Sequence, residues 1–396
     1  MRILICSHSY GNSAEGICVQ RLTKALLSAG CQIELVTGGE AARREAGSDC
    51  VIHYIDEGAS ALSRFYNALA RRLHLQPYSS LVWARRVRKV SLVQEPDMIY
   101  GRAWPLASLQ GAVHLHRRYR RPWTMHLSDP LPSPWDLPGS RPYRAAVRWM
   151  NTHASSCRRM TFVTREALEF QERAMNMSIA SRAFVLNHVA PASAHLPAKP
   201  LGGTRVLTYV GSFYGHRMPD ALLLGFKHYL ATHGPAELHF AGTDPVIVGP
   251  AIRRQGLESS VKILPRTTQV ERHLAESDLL IAVDAFHGAP VFISTKLVEY
   301  LMVNRPVLLI SPPGSSGTKL LSNMPVSRVV TEEDPAVIAA AMHGLLTSAG
   351  RAGDYERRWQ MMEPFGGPAV ARRFLDEMET ALRQPNRDRV ADMVMR

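Results

Sequence analysis

Short apolar runs alternate with helical periodicity along this 396-residue chain, and the alternation starts twice. An apolar run at 3–6 leads through a small-residue loop into Ile17, Val19, Leu22, Ala25, Leu26 and Ala29. These are spaced as one helix face, and Gly30 closes it. A second run at 33–36 completes a βαβ unit. Further runs at 51–54, 98–100, 123–126, 160–163 and 184–186 read as strands, with helical patterns at 59–74, 79–93, 105–117, 142–157 and 164–175. The segment 189–203 carries Pro191, Pro197, Pro200, Gly202 and Gly203, lacks periodicity and reads as a linker. The pattern then restarts, with strands at 206–210, 237–241, 261–264, 279–283 and 307–310. Helices are expected at 217–231, 295–303 and 334–347, and the tail at 354–384 reads as helical.

Strands that alternate with helices build parallel sheets covered on both faces. The expected fold class is therefore α/β, with two Rossmann-like doubly wound domains facing each other across an interdomain cleft. The expected boundaries are 1–190 for an N-terminal domain, 191–203 for the linker, 204–352 for a C-terminal domain and 353–396 for helices that cross back to the N-terminal domain. Ligands of such sheets sit past the carboxyl ends of the strands, so chemistry-bearing residues belong in the loops that follow strands.

The formal net charge is +13, and it is unevenly placed. Before residue 200 there are 26 basic and 14 acidic residues, against 21 and 20 after it. Residues 64–121 hold 12 basic residues and two acids, Glu95 and Asp97. This asymmetry predicts attraction to an anionic surface. In 64–89, Arg71, Arg72, Arg85, Arg86, Arg88 and Lys89 interleave with Phe65, Tyr66, Leu73, Leu75, Tyr78, Leu81 and Trp83. Basic amphipathic segments of this kind bind membrane surfaces, and Arg117, Arg118, Arg120 and Arg121 extend the patch. Five cysteines, Cys6, Cys18, Cys31, Cys50 and Cys157, form neither a CxxC pair nor a zinc spacing. They read as buried thiols of a reducing compartment. No run of 18 apolar residues occurs, and the N-terminal run is too short for a signal peptide, so the expected location is cytoplasmic, peripheral on the inner face of the cell membrane.

Three loops carry candidate chemistry. The first, 7–16, contains Gly11 and Gly16, which permit close backbone approach ahead of a helix N-terminus. It is not GxGxxG, and the second strand exits through Thr37-Gly38-Gly39 without the acidic residue of a dinucleotide site. The second follows the strand at 206–210 and holds Gly211, Ser212 and Arg217. A guanidinium at a helix start beneath a glycine turn suits a diphosphate. The third is the run from Ser294 to Tyr300. Ser294 is an N-cap candidate, and Lys296 in the first turn opposes the helix dipole unless an anion is bound there. Glu299, three residues on, shares its face and suits ribose hydroxyls, or simply pairs with Lys296.

The run Ser294-Thr295-Lys296-Leu297-Val298-Glu299-Tyr300-Leu301, continued by Asn304-Arg305-Pro306-Val307-Leu308, resembles the donor-site helix of GT-B glycosyltransferases of the retaining group 1, or family 4-like, type. The opening through Thr37 and the stretch from Val210 to Arg217 are similar to the starts of that family's two domains. Trp123-Thr124-Met125-His126-Leu127-Ser128-Asp129-Pro130 is similar to a segment of relatives acting on surface polysaccharides. There are three departures. Val291 stands where many relatives carry a second Glu, Ser212 where many carry Arg, and Asn304 where Gly is common.

The resemblance implies sugar transfer from a nucleotide-sugar, with retention, to a lipid-linked or oligosaccharide acceptor in cell-surface polysaccharide biosynthesis. It also implies that cations rather than a metal or other cofactor serve the diphosphate. The implied donor residues are Gly11, Gly16, Gly211, Ser212, Arg217, Asp284, His287, Ser294, Thr295, Lys296 and Glu299. Arg217 and Lys296 stabilise the leaving group. His126 and Asp129 approach the acceptor with catalytic roles, and Arg102 binds it. Two rivals are a GT-B sugar-nucleotide epimerase and a basic nucleic-acid or membrane-binding protein. The first needs several carboxylates around the sugar; no nucleic-acid-binding signature supports the second, and no nucleic-acid partner is expected.

Overall fold

In a computed structural model the chain divides into two units, one comprising Met1–Val189 and the chain from Phe365 onward, the other Ala190–Pro364. The structure describes residues 1–383 apart from 12, 39–49, 58–60, 74–77, 198–202, 267–269 and 349. Gly39, Leu75 and residues 198–202 of the expected linker thus lie outside the described residues, as do the side chains of Arg71 and Tyr78.

The first unit is built on seven strands: β1 (Arg2–Cys6), β2 (Gln32–Thr37), β3 (Val51–Tyr54), β4 (Met98–Ala103), β5 (Trp123–Leu127), β6 (Arg159–Phe162) and β7 (Ala183–Val185). All pair in parallel in the order β3-β2-β1-β4-β5-β6-β7, so the winding reverses between β1 and β4. Its helices are α1 (Ala14–Ser28), α2 (Ala61–Arg72), α3 (Tyr78–Val87), α4 (Leu106–Tyr119), α5 (Arg141–His153) and α6 (Arg165–Met175). Ser13 caps α1, its hydroxyl accepting from the Gly16 amide at 3.0 Å. The strands are apolar on both faces because helices cover both.

The second unit repeats the plan with six parallel strands: β8 (Arg205–Val210), β9 (Ala236–Ala241), β10 (Val261–Leu264), β11 (Leu279–Val283), β12 (Val307–Ile310) and β13 (Ser327–Val330), in the order β10-β9-β8-β11-β12-β13. The reversal falls between β8 and β11. Helices α7 (Asp220–His233), α8 (Pro245–Gln255), α9 (Val270–Glu276), α10 (Thr295–Leu301), α11 (Ser316–Leu321), α12 (Pro335–Thr347) and α13 (Ala352–Met361) complete it. The last helix, α14 (Gly367–Arg383), returns to the first unit. There Val370, Ala371, Phe374 and Met378 share one core with Ile3, Val19, Leu22 and Leu26.

The expected boundary at 352 falls at 364 instead, and Arg358 explains it. This fully buried side chain of α13 donates to the carbonyls of Leu301 (3.1 Å), Arg305 (3.0 Å) and Val303, which ties α13 to the second unit. Residues 190–197 also belong to that unit. The Asn304 side-chain amide accepts from Leu196 N (2.6 Å) and donates to Leu196 O (3.1 Å), a two-way clamp that glycine would lack.

Two helix limits move as well. Arg217 does not begin a helix: α7 starts at Asp220, because Pro219 disfavours helical geometry at Met218. The helix expected at 79–93 stops at Val87, and residues 88–97 lead irregularly into β4.

Candidate functional site

In the second unit, the loops after β8 and β11 and the start of α10 bring one constellation together. Gly211 leaves β8 with φ +105°, a conformation open to glycine. A Cβ there would lie 3.3 Å from Lys296 Nζ, so glycine also makes room for the ammonium. Lys296 donates to the Tyr209 hydroxyl at 2.6 Å and stands 3.8 Å from that ring's centre. The phenol spends its own proton on the Ser212 carbonyl (3.2 Å), and Phe213 stacks on the ring at 4.3 Å. Among the described residues Lys296 ion-pairs with no carboxylate, so the simple pairing with Glu299 is not formed. Burial and the Arg217 charge push its pKa well below the ordinary lysine value, with Asp284 and Glu299 opposing.

Arg217 is buried at 3% exposure. One Nη reaches Asp284 Oδ1 at 3.4 Å, and among the described residues the buried Nε has no hydrogen-bond acceptor. Asp284, directly after β11, also accepts from Ser311 Oγ at 2.9 Å. Burial pushes its carboxyl above the ordinary value against the pull of Arg217 and Ser311. Gly317 is the space for this carboxylate, since a Cβ there would lie 3.0 Å from Asp284 Oδ2. Asp284 therefore orients Arg217. His287 is exposed, its ring 6.4 Å from that of His216. Ser212 is exposed, with a long 3.5 Å contact to the Gly242 carbonyl. Ser294 holds the N-cap position of α10 with extended backbone, yet its hydroxyl makes no capping bond; Thr295 begins the helix and Glu299 lies half-buried within it. Val291 is buried.

The first unit holds a second constellation at its own winding reversal. Arg102 lies inside β4 rather than past it, because the strand runs on through Gly101 to Ala103. Its Nε donates to Glu15 Oε1 at 2.5 Å, and Ser128 Oγ donates to Glu15 Oε2 at 2.7 Å. Burial pushes the Glu15 carboxyl up to about 7, although Arg102 and Ser128 pull it down. His126 also lies within its strand, β5, at 1% exposure. Its Nδ1 shares a hydrogen bond with Thr161 Oγ1 (2.7 Å), and Nε2 has no partner. Burial and the Arg102 charge hold its pKa well below the ordinary histidine value, so it packs as a neutral ring in the sheet. Asp129 is exposed in the loop after β5. Gly16 is explained by packing, since a Cβ there would meet the Gly11 carbonyl oxygen at 2.6 Å, and Gly11 has φ +76°, a conformation open to glycine.

Sequence reasoning missed Glu15, Tyr209, Ser311 and Gly317. Glu15 reads as an ordinary first-turn acid, and Tyr209 as strand core. Their partners lie far off in sequence, so no spacing announces them.

Among the described residues, no group of three or more His, Cys, Asp or Glu is placed to hold a metal ion, and no helix is long and apolar enough to cross a membrane.

No sequence-family model matches the chain, and no curated protein does. Solved structures do. HepE (Alr3699) of Anabaena in complex with UDP and glucose superposes with a TM-score of 0.70 at 13% identity, covering 96% of this chain and 99% of that one. A glycosyltransferase from Rickettsia africae gives 0.68 at 11% identity over 97% and 99%. The lipopolysaccharide outer core galactosyltransferase WaaB gives 0.59 at 13% identity over 96% and 99%. With two doubly wound parallel sheets in series, the chain has the GT-B fold.

Proposed function

We propose that the chain is a glycosyltransferase whose Ala190–Pro364 unit binds a nucleotide-sugar through its diphosphate. One observation carries the reading: Arg217 Nε and the Lys296 ammonium are cationic donors sunk at the carboxyl end of a parallel sheet, with donor capacity unspent. Burying a cation without an anion is costly, and a diphosphate relieves that cost while restoring the charge of Lys296.

In the transfer step, the bond between the anomeric carbon and the diphosphate oxygen breaks, and its electron pair leaves with the diphosphate. The acceptor hydroxyl oxygen bonds to the anomeric carbon, and its proton passes to the departing phosphate. Arg217 and Lys296 offset the charge that grows on the leaving group, the task a metal ion performs elsewhere. Asp284 positions Arg217, and Glu299 accepts from ribose hydroxyls. Front-side transfer with retention of a hexose follows from the family resemblance of the α10 run. A uridine diphosphate donor is supported by the HepE complex, and a lipid-linked or polysaccharide-precursor acceptor by the likeness to WaaB, a lipopolysaccharide outer core galactosyltransferase. Arg102 and Asp129 belong to acceptor binding by the first unit.

Thermal shift against UDP, UDP-glucose and other nucleotide-sugars tests this. A nucleotide-dependent rise in Tm that disappears in Lys296→Ala and Arg217→Ala is expected. No rise with any nucleotide, or an equal rise in both variants, would reject the site.

A further inference from the structure

Helix α2 is inside out. Leu62, Phe65, Tyr66, Leu69 and Leu73 are each between 42% and 64% exposed. At 100° per residue they fall within one arc of about 100°, a continuous apolar stripe. Among the described side chains of the helix, the less exposed are instead Asn67 and Ala70, a polar and a small residue. A helix that sits on its protein through a small face and turns its large side chains outward requires an occupant for those side chains.

The surrounding charge indicates which occupant. From residue 58 to residue 94 the sequence has seven basic residues and no acid. Arg72 is exposed at the border of the stripe, with Arg64 further round the helix. Arg85, Arg86, Arg88 and Lys89 are exposed at the end of α3 and just beyond it. Arg118 at the end of α4 donates to the Arg88 carbonyl at 2.5 Å, and Tyr119 donates to the Val90 carbonyl at 2.6 Å. The basic cluster at the end of α4 therefore lies beside the one at the end of α3 and forms one patch with it. Trp83, by contrast, is fully buried, so it is not part of the contact surface. A second copy of the chain fits poorly, because a two-fold interface would set this basic patch against itself.

We infer that α2 docks on an anionic lipid bilayer, with Leu62, Phe65, Leu69 and Leu73 entering the interface and the neighbouring arginines on the headgroups. The inference extends the proposed transfer to a membrane-borne acceptor and rests on that reading for its purpose, but not for its evidence.

Flotation of the full chain with phosphatidylcholine vesicles, with and without phosphatidylglycerol, tests it. The wild type should float with the anionic vesicles only. The double variant Phe65→Ser/Leu69→Ser should partition at least about tenfold less, while Phe65→Tyr/Leu69→Met restores flotation. Three results would overturn the docking: a wild type that stays down with anionic vesicles, one that floats equally well on neutral vesicles, or a serine variant that floats like the wild type. Self-association that the serine variant abolishes, without flotation, would assign the stripe to a second copy. The UDP-dependent thermal shift is read in the same samples. Flotation without that shift leaves the docking standing and removes the donor reading; the shift without flotation does the reverse.

Discussion

The two sheets reverse their winding at equivalent places, between β1 and β4 and between β8 and β11, yet the charges placed there are treated differently. In the first unit the cation is satisfied: Arg102 meets Glu15 at 2.5 Å, and Ser128 fills the other carboxylate oxygen. In the second, Arg217 meets Asp284 at 3.4 Å, its Nε has no acceptor among the described residues, and Lys296 leans on a phenol. One reversal is closed in charge and suits a neutral, hydroxyl-bearing ligand. The other is open and suits an anion. The same winding thus yields opposite electrostatics: one carboxylate meets one cation in the first unit, whereas in the second Asp284 pairs with Arg217 and leaves Lys296 without an ion pair among the described residues.

Substitution of the cations separates the two. Arg102→Met should destabilise the folded chain by about 3–5 kcal/mol, since it strands a buried carboxylate. Chemical denaturation measures this, and an unchanged midpoint would mean that the pair is not held as described. In the second unit the loss should appear in ligand interaction: Arg217→Ala should cost about 2–4 kcal/mol of transition-state stabilisation, read as kcat/KM with whichever nucleotide-sugar shifts Tm. An effect below twofold would dissociate Arg217 from the reaction.

The carboxylate of the closed site gives a pH signature of at most about 3 kcal/mol. Glu15 holds its proton more tightly folded, at about 7, than at its ordinary value of 4.5. Its contribution to stability is therefore full below 4.5 and falls as pH rises through 7. The stability difference between wild type and Glu15→Gln should decline across that window, and a flat difference would place the Glu15 pKa elsewhere. The smallest effect has the opposite sign to the first. Lys296→Met should raise the stability of the ligand-free protein by about 1 kcal/mol, because it removes a cation whose charge the site disfavours. A loss of stability on this change would mean that Lys296 is already satisfied without an anion.

Much of this architecture was legible in sequence because parallel strands buried on both faces announce themselves as short apolar runs. What escaped detection had a local reason. Helix α8 begins at Pro245 and contains Gly249 and Pro250, residues that read as breakers; the Asp244 cap holds it nonetheless. Strand β13 and helix α11 are four and six residues long, too short to show a period. Within the site, Gly211, Arg217 and Asp284 were visible as residues following strands, and Lys296 as a lysine in the first turn of a helix. The role of Asp284 was not, since it is set by Ser311 and Gly317 beyond the next strand. Arg102 was placed past its strand when it lies inside it, because Gly101 mimics a strand end, and the strand of His126 runs one residue further than expected, to Leu127.

Helix α14 has a consequence for biosynthesis. Its Val370, Ala371, Phe374 and Met378 complete a core whose other members, such as Ile3 and Leu22, are synthesised long before it. Between the two lie the 175 residues of Ala190–Pro364, roughly 9–35 s of translation at about 5–20 residues per second. The nascent front half must wait with an apolar groove uncovered while the rear half is made and finishes first, so a stalled or truncated message would release a chain prone to chaperone capture.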